Sequence, residues 1–246
     1  MQAVILAAGR SRRMGKITKE IPKCLIEIHG KTILGRTLEN LIDVGVDELV
    51  ITVGYLQNMI RDFISANFPN LRVKYLVNED YENNNNIYSL WMTKDAANGP
   101  ILLLDSDIVF DTRILHSLLK YPQENCLAVR TSDTIGQEEM KVTLQDNSEK
   151  LAKISKKIDP KEAFGESIGI ELFSPEFLRE LYRILDRRIL KEKKINDFYE
   201  IAFQEMIDNS HPIYAVDIGP KKAAELDFPE DIEDARTNVI PYLDKT

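Results

Sequence analysis

The sequence predicts an α/β fold with a mixed, mostly parallel central sheet, and three observations carry that expectation. Apolar runs alternate with amphipathic segments through the first 77 residues, in the order strand, helix, strand, helix, strand. Such an order requires right-handed crossovers and a parallel sheet. Two of the runs, residues 3–8 and 101–104, are apolar throughout, as in strands covered on both faces. Both end abruptly. The first stops at Gly9, followed by Arg10, Arg12 and Arg13; the second stops at Asp105-Ser106-Asp107. In open parallel sheets the carboxyl edge is where ligands bind.

The remaining elements follow in order. Residues 24–28 form a short strand, and Thr32 caps a helix to about residue 44, stopped by Gly45. Residues 48–53 are the second parallel strand, 57–67 an amphipathic helix and 73–77 the third strand. A polar loop, 78–86, leads to a helix over 87–97 capped by Asn85 or Asn86. After the strand at 101–104 a helix covers 112–119. The second half changes character, with short strands at 126–130, 140–144, 151–155 and 167–173. Ser174 and Pro175 open a helix to about residue 190. A helix over 197–207, a strand over 212–216 and a last helix over 230–238 complete the chain. No clean linker divides it. Residues 1–246 read as one domain in two halves, 1–110 and 111–246, the second forming a small α+β lid.

Composition narrows the function. The chain has 246 residues, 43% hydrophobic and 29% charged, as in an ordinary soluble globular protein. A net charge of −8 argues against nucleic acid as the main partner and against an anionic membrane surface. Cys24 and Cys126 lie far apart without metal-ligand spacing, as expected of reduced core residues in a cytoplasmic protein. No run of 18 apolar residues and no leader pattern is present. His29, His116 and His211 stand in no metal spacing and read as structural.

Three constellations carry chemistry. Gly9, with Arg13 and Lys23, offers backbone N–H groups and positive charge to a polyphosphate. Neither Gly-x4-Gly-Lys-Ser/Thr nor Gly-x-Gly-x-x-Gly occurs, which excludes the ATPase phosphate loop and the dinucleotide fingerprint. Asp107 and Asp227 are the second constellation, because Mg²⁺ takes one or two carboxylates together with phosphate oxygens and water. Strand alternation puts Asp105 on the same face as Asp107 and does not separate the two. Asp227, before Phe228-Pro229-Glu230, also reads as a helix-start residue. Asn78 with residues 85–89 is the third, a base-recognising segment or a solvated turn with an ordinary cap.

Leu6-Ala7-Ala8-Gly9-x3-Arg13-x9-Pro22-Lys23, with Asp107 closing an apolar strand and Glu225-Leu226-Asp227-x-Pro229-Glu230-Asp231 near the end, resembles the signature of nucleotidyltransferases that make sugar nucleotides and CDP-alcohols. Order and separation agree over nearly the whole chain, with one departure: Ser11 stands where the family usually has glycine. The run Asn85-Asn86-Ile87-Tyr88-Ser89-Leu90 resembles the bacterial phosphocholine and 2-aminoethylphosphonate cytidylyltransferases. The resemblance implies a Rossmann-like nucleotidyltransferase fold, CTP as donor and Mg²⁺ at Asp107 and Asp227. It places the nucleotide at Leu6, Ala8, Gly9, Asn78, Asn86 and Ser89, and gives catalytic roles to Arg13, Lys23 and Lys156, with Lys157 competing for the last. It allows a homodimer or a fusion to another domain.

The acceptor is read from chemistry. A trimethylammonium group is held by aromatic faces, yet the single tryptophan, Trp91, lies in the nucleotide half. The other half supplies Asp133, Glu138, Glu139, Lys141, Glu166 and Tyr199. Carboxylates suit an ammonium that donates hydrogen bonds. Asp133, Lys141, Glu166 and Tyr199 are therefore the expected acceptor contacts, and 2-aminoethylphosphonate is favoured over phosphocholine. A sugar- or inositol-phosphate acceptor and a non-catalytic nucleotide sensor are the alternatives.

Overall fold

The computed structural model describes residues 1–132, 135–219 and 221–243. Its strands are β1 (Gln2–Ala7), the β2–β3 ribbon (Glu27–Ile28 and Lys31–Thr32), β4 (Glu48–Val53), β5 (Arg72–Val77), β6 (Ile101–Asp105) and β7 (Ile108–Phe110). The second half adds β8 (Cys126–Arg130), β9 (Lys141–Leu144), β10 (Leu151–Ser155), β11 (Gly165–Phe173), β12 (Tyr214–Asp217) and β13 (Ala223–Glu225). The helices are α1 (Ile33–Asp43), α2 (Gln57–Asn67), α3 (Asn86–Met92), α4 (Arg113–Lys120), α5 (Pro175–Asp186), α6 (Glu200–Asp208), α7 (Pro229–Asp234) and α8 (Ile240–Leu243).

One sheet carries both halves. β6, β1, β4 and β5 lie side by side and parallel, with Ala7 opposite Val53 and Leu6 opposite Asp105. Their carboxyl ends are thus level along one edge. β11 runs antiparallel beside β6 and also pairs with β8 and β9, while β12 lies parallel to β8. The mixed, mostly parallel sheet anticipated from the alternation is present. β1 has β4 on one side and β6 on the other, so the chain order reverses there and opens a crevice above its end.

Helices cover both faces. Leu34, Leu38, Ile60, Ile64 and Leu115 pack on one, and Ile87, Leu90, Leu178, Leu181 and Phe203 on the other. A third apolar cluster brings Met14 and Ile26 against Val109, Leu226 and Ile232, residues remote in sequence. The β7–β13 ribbon reinforces it, and Leu226 donates its N–H to the carbonyl of Asp107 at 3.0 Å.

Several elements differ from the sequence expectation. The strand expected over 24–28 begins instead as a single tight turn, Lys23–Leu25, closed by Leu25 N–H to the Pro22 carbonyl. The helix expected to reach residue 97 leaves regular α geometry after Met92, where the Thr93 hydroxyl bonds the Leu90 carbonyl at 2.6 Å and disturbs the ladder. The helix expected from residue 197 starts at Glu200, and the Tyr199 N–H just before it is taken by Asn86 Oδ1. β7 and β13 carried no readable periodicity. Among the described residues no helix is long and apolar enough to cross a membrane.

Candidate active site

A cavity of about 510 Å³ opens at the level strand ends. Gly54, after β4, shows how tightly the loops converge below it: an added Cβ would lie 2.7 Å from the Ala8 carbonyl and 2.9 Å from that of Asn78. Leu6, Ala8 and Gly9 line the wall at the end of β1. Ser11 holds φ 51°, ψ 55°, the left-handed region in which glycine is at ease, so the serine tolerates a conformation that suits the residue it replaces.

Charge is concentrated on the floor. The turn Lys23–Leu25 points the Lys23 ammonium inward, 2.6 Å from Asp107 and 3.0 Å from Asp227. Arg13 reaches the other oxygen of Asp227 at 2.7 Å. Burial works to lower the Lys23 pKa, but Asp107 and Asp227 override it and hold the ammonium above its ordinary value. Burial likewise raises Asp227, and the Lys23 and Arg13 charges outweigh it, leaving that carboxyl below the usual range. Asp231, not Asp227, caps the following helix, with its Oδ2 accepting from the N–H groups of Asp227 and Phe228. The Asp227 carboxylate is thereby left to the site.

Asp105 and Asp107 are separated by the turn between them. β6 ends at Asp105, whose half-buried carboxyl lines the cavity and accepts the Tyr199 hydroxyl at 3.0 Å. Asp107 lies beyond the strand and faces Lys23. Asp107, Glu225 and Asp227 present ligand oxygens all within 4.8 Å of one another. Among the described residues the buried Oδ1 of Asp107 has no hydrogen-bond partner. Glu225 is exposed at the rim, yet partial desolvation, then Asp107 and Asp227, hold its carboxyl above the ordinary value. Three crowded carboxylates with an orphaned oxygen are a donor set that fits a hard divalent cation.

Beyond the end of β5, Asn78 is buried and exchanges amide hydrogen bonds with Asn84 at 2.7 and 3.1 Å. It also donates to the Ser89 hydroxyl at 3.3 Å. Asn85 caps α3 through Asn86 N–H at 2.8 Å. Asn86 accepts from the Tyr199 N–H at 3.0 Å and ties α3 to the start of α6. Asn78, Asn86 and Ser89 all line the cavity.

The acceptor side differs more from expectation. Lys156 lines the cavity with its ammonium 4.7 Å from the Phe198 ring centre, whereas Lys157 is exposed outside it. Glu166 lines the cavity but is held by an ion pair with Arg130. Lys141 is not on the wall. It is fully buried and its ammonium binds the carbonyls of Gly136, Gln137 and Glu139 at 3.3, 2.8 and 3.1 Å. Tyr199 is also fully buried and points behind the floor to Asp105. Both belong to the support of the cavity, because each polar tip finds its partners inside the protein. Asp133 lies outside the described residues.

Residues 3–193 match the MobA-like NTP transferase domain. The chain belongs to that family. It is a nucleotidyltransferase. A CTP:phosphoglutamine cytidylyltransferase from Campylobacter jejuni is 27% identical over 255 residues, covering 95% of this chain and 98% of that protein. A CMP-5'-(3-aminopropyl)phosphonate synthase from Streptomyces rubellomurinus is 33% identical over 128 residues, which are 52% of this chain and 20% of that protein. The matched segment is thus a small part of that synthase. The solved CTP:phosphocholine cytidylyltransferase from Streptococcus pneumoniae superposes with a TM-score of 0.78 at 20% identity, covering 96% and 97% of the two chains. An inositol-1-phosphate CTP transferase from T. maritima superposes at 0.77 with 22% identity, covering 94% of this chain and 90% of that one.

Glu225 and Glu200 are among the cavity residues of this NTP transferase that sequence reasoning missed. Glu225 stands two positions before Asp227, and strand alternation across Leu226 was a signal for it. Glu200, next to Tyr199, gave no signal, since a lone glutamate at a helix start reads as a favourable first-turn acid.

Proposed function

We propose that the protein transfers a cytidylyl group from CTP to a small phosphonate or phosphate that carries an amine, with release of pyrophosphate. The observation that carries this reading is the meeting of Lys23 and Arg13 with Asp107, Glu225 and Asp227 on the floor of a strand-edge cavity. The choice of CTP is supported by the named activities of the relatives, and the amine by the carboxylates of Glu138, Glu139 and Glu200 on the wall. 2-Aminoethylphosphonate remains the favoured acceptor and phosphocholine the next.

In this reading the acceptor's oxyanion attacks the α-phosphorus, the bond to the bridging oxygen breaks, and pyrophosphate leaves with that electron pair. The acceptor is already ionised, so catalysis is positioning and electrostatic stabilisation. Arg13 and Lys23 set positive charge against the phosphates, and the backbone N–H groups near Gly9 cradle them. Lys156 meets the acceptor's phosphonate. Asp107, Asp227 and Glu225 would hold Mg²⁺, which when bound supplies positive charge to phosphate oxygens.

A pyrophosphate-release assay tests this by crossing four nucleoside triphosphates with 2-aminoethylphosphonate, phosphocholine, phosphoglutamine and sugar 1-phosphates. Turnover with CTP and an amine-bearing acceptor is expected. Turnover confined to sugar phosphates, indifference to the base, or none at all would overturn it.

A further inference from the structure

Glu200 carries a buried carboxylate with one oxygen left unpaired among the described residues. It opens α6, lines the cavity and is 7% exposed. Among the described residues its buried Oε2 has no hydrogen-bond partner. The groups around it sharpen the imbalance. Asp105, half-buried on the cavity lining, and Glu171, fully buried behind it, each feel Glu200 as a like charge. On the cavity side Lys156 is near enough to favour the charged form, but its ammonium rests over Phe198. Burial pushes the Glu200 carboxyl up to about 7. A buried carboxylate left this way is costly, and an ionised one can only accept hydrogen bonds.

The aromatic lining points the same way. Tyr81, Phe198 and Phe228 line the cavity. Phe198 already faces the Lys156 ammonium, and Phe228 faces the Arg13 guanidinium 5.4 Å from its ring centre. Tyr81 is packed against Tyr55 at the nucleotide end, with ring centres 6.1 Å apart. Among the described residues the acceptor end therefore has no vacant aromatic cage for a quaternary ammonium, which lacks N–H and needs such faces.

We propose that Glu200 accepts a hydrogen bond from the acceptor's ammonium group and makes the enzyme select acceptors that carry N–H over those fully methylated or lacking the amine. This rests on the transfer reaction proposed above. Lys156 then takes the anionic end of the acceptor and Glu200 its cationic end.

The test uses three acceptors of matched skeleton: 2-aminoethylphosphonate, its N,N,N-trimethyl derivative and ethylphosphonate. Wild-type protein with CTP is expected to prefer the first by kcat/KM. In Glu200→Gln that preference shrinks, by on the order of ten- to a hundredfold, the worth of one hydrogen bond to a charged group. The change falls on the acceptor KM and not on the KM for CTP. Glu200→Asp restores part of the preference. A wild-type enzyme that uses the trimethyl or amine-free compound equally well overturns the proposal without help from any variant, and so does Glu200→Gln with the preference intact. Absence of CTP-dependent turnover with every acceptor class in the wider assay overturns the transfer reading itself.

Discussion

The Lys23 ammonium lies 2.6 Å from Asp107 Oδ2. That contact, with the one to Asp227, puts a protein cation against the carboxylates that would hold a metal ion. Lys23 and Arg13 offset the carboxylate charge of the site without its ligands, so a divalent cation has to compete with Lys23 for the same oxygens.

Lys23→Ala should therefore act in two directions. Pyrophosphate release falls by on the order of 10²–10³, as for other preorganised charges. The fold loses on the order of 3 kcal/mol, because Asp107 loses its ion-pair partner and Asp227 keeps only Arg13. Adding Mg²⁺ should raise the melting temperature of the variant more than that of the wild type. Equal shifts in a thermal scan would refute the competition.

Asp107→Asn, Asp227→Asn and Glu225→Gln each remove one oxygen donor from the cluster. Each should cut the Mg²⁺-induced rise in melting temperature to half or less and abolish turnover, with far-UV circular dichroism unchanged. A full Mg²⁺ response in Glu225→Gln would remove that residue from the set.

Lys141 ties residues 136–139 to β9 through three carbonyls. Lys141→Met leaves those carbonyls without their donor, at a cost of about 2–3 kcal/mol. Limited proteolysis should cleave this loop sooner than in the wild type. An acceptor-binding role would instead raise the acceptor KM with protection unchanged.

Glu171 is fully buried, and among the described residues neither carboxylate oxygen has a hydrogen-bond partner. Burial, then Asp105 and Glu200, hold its pKa well above the ordinary value. Between the ordinary carboxyl range and that raised value the unfolded chain has lost a proton that the folded chain keeps. Stability therefore falls as pH rises through this window. Glu171→Gln removes the group and should flatten the decline of the urea midpoint between pH 5.5 and 8. Asp105, Glu200 and Glu225, raised in the same sense chiefly by desolvation, leave a residual slope. A variant as steep as wild type would show that Glu171 does not carry it.

Tyr199→Phe deletes the donor to Asp105. A loss of about 1–3 kcal/mol is expected in chemical denaturation, the price of leaving a buried acceptor unpaired. The KM for the acceptor should stay as in wild type, since the hydroxyl does not face the cavity.

The alternation of apolar runs and helical stripes was enough to place β1, β4 and β5, and to cap α1 with Thr32 and α5 with Ser174. These are local properties, decided by side-chain period and by groups a few residues apart. The same holds for Gly9, Arg13, Lys23 and Asp107, marked by abrupt changes from apolar to polar at strand ends. What remained closed was the direction of side chains whose partners are distant. Lys141 and Tyr199 look like ligand-binding residues in one dimension, and each is drawn inward by groups that only the fold supplies. The choice between Asp105 and Asp107 turned on where β6 ends, and Glu225 reaches the site through the pairing of β13 with β7. That ribbon joins stretches more than a hundred residues apart in sequence. The sequence by itself determined the parallel sheet edge and the charges set along it, because strand period and turn chemistry are written within a few residues. Only the tertiary structure decided which acids gather around Lys23 and which, like Glu200, keep a buried oxygen unpaired among the described residues, because burial and pairing depend on contacts no local pattern encodes.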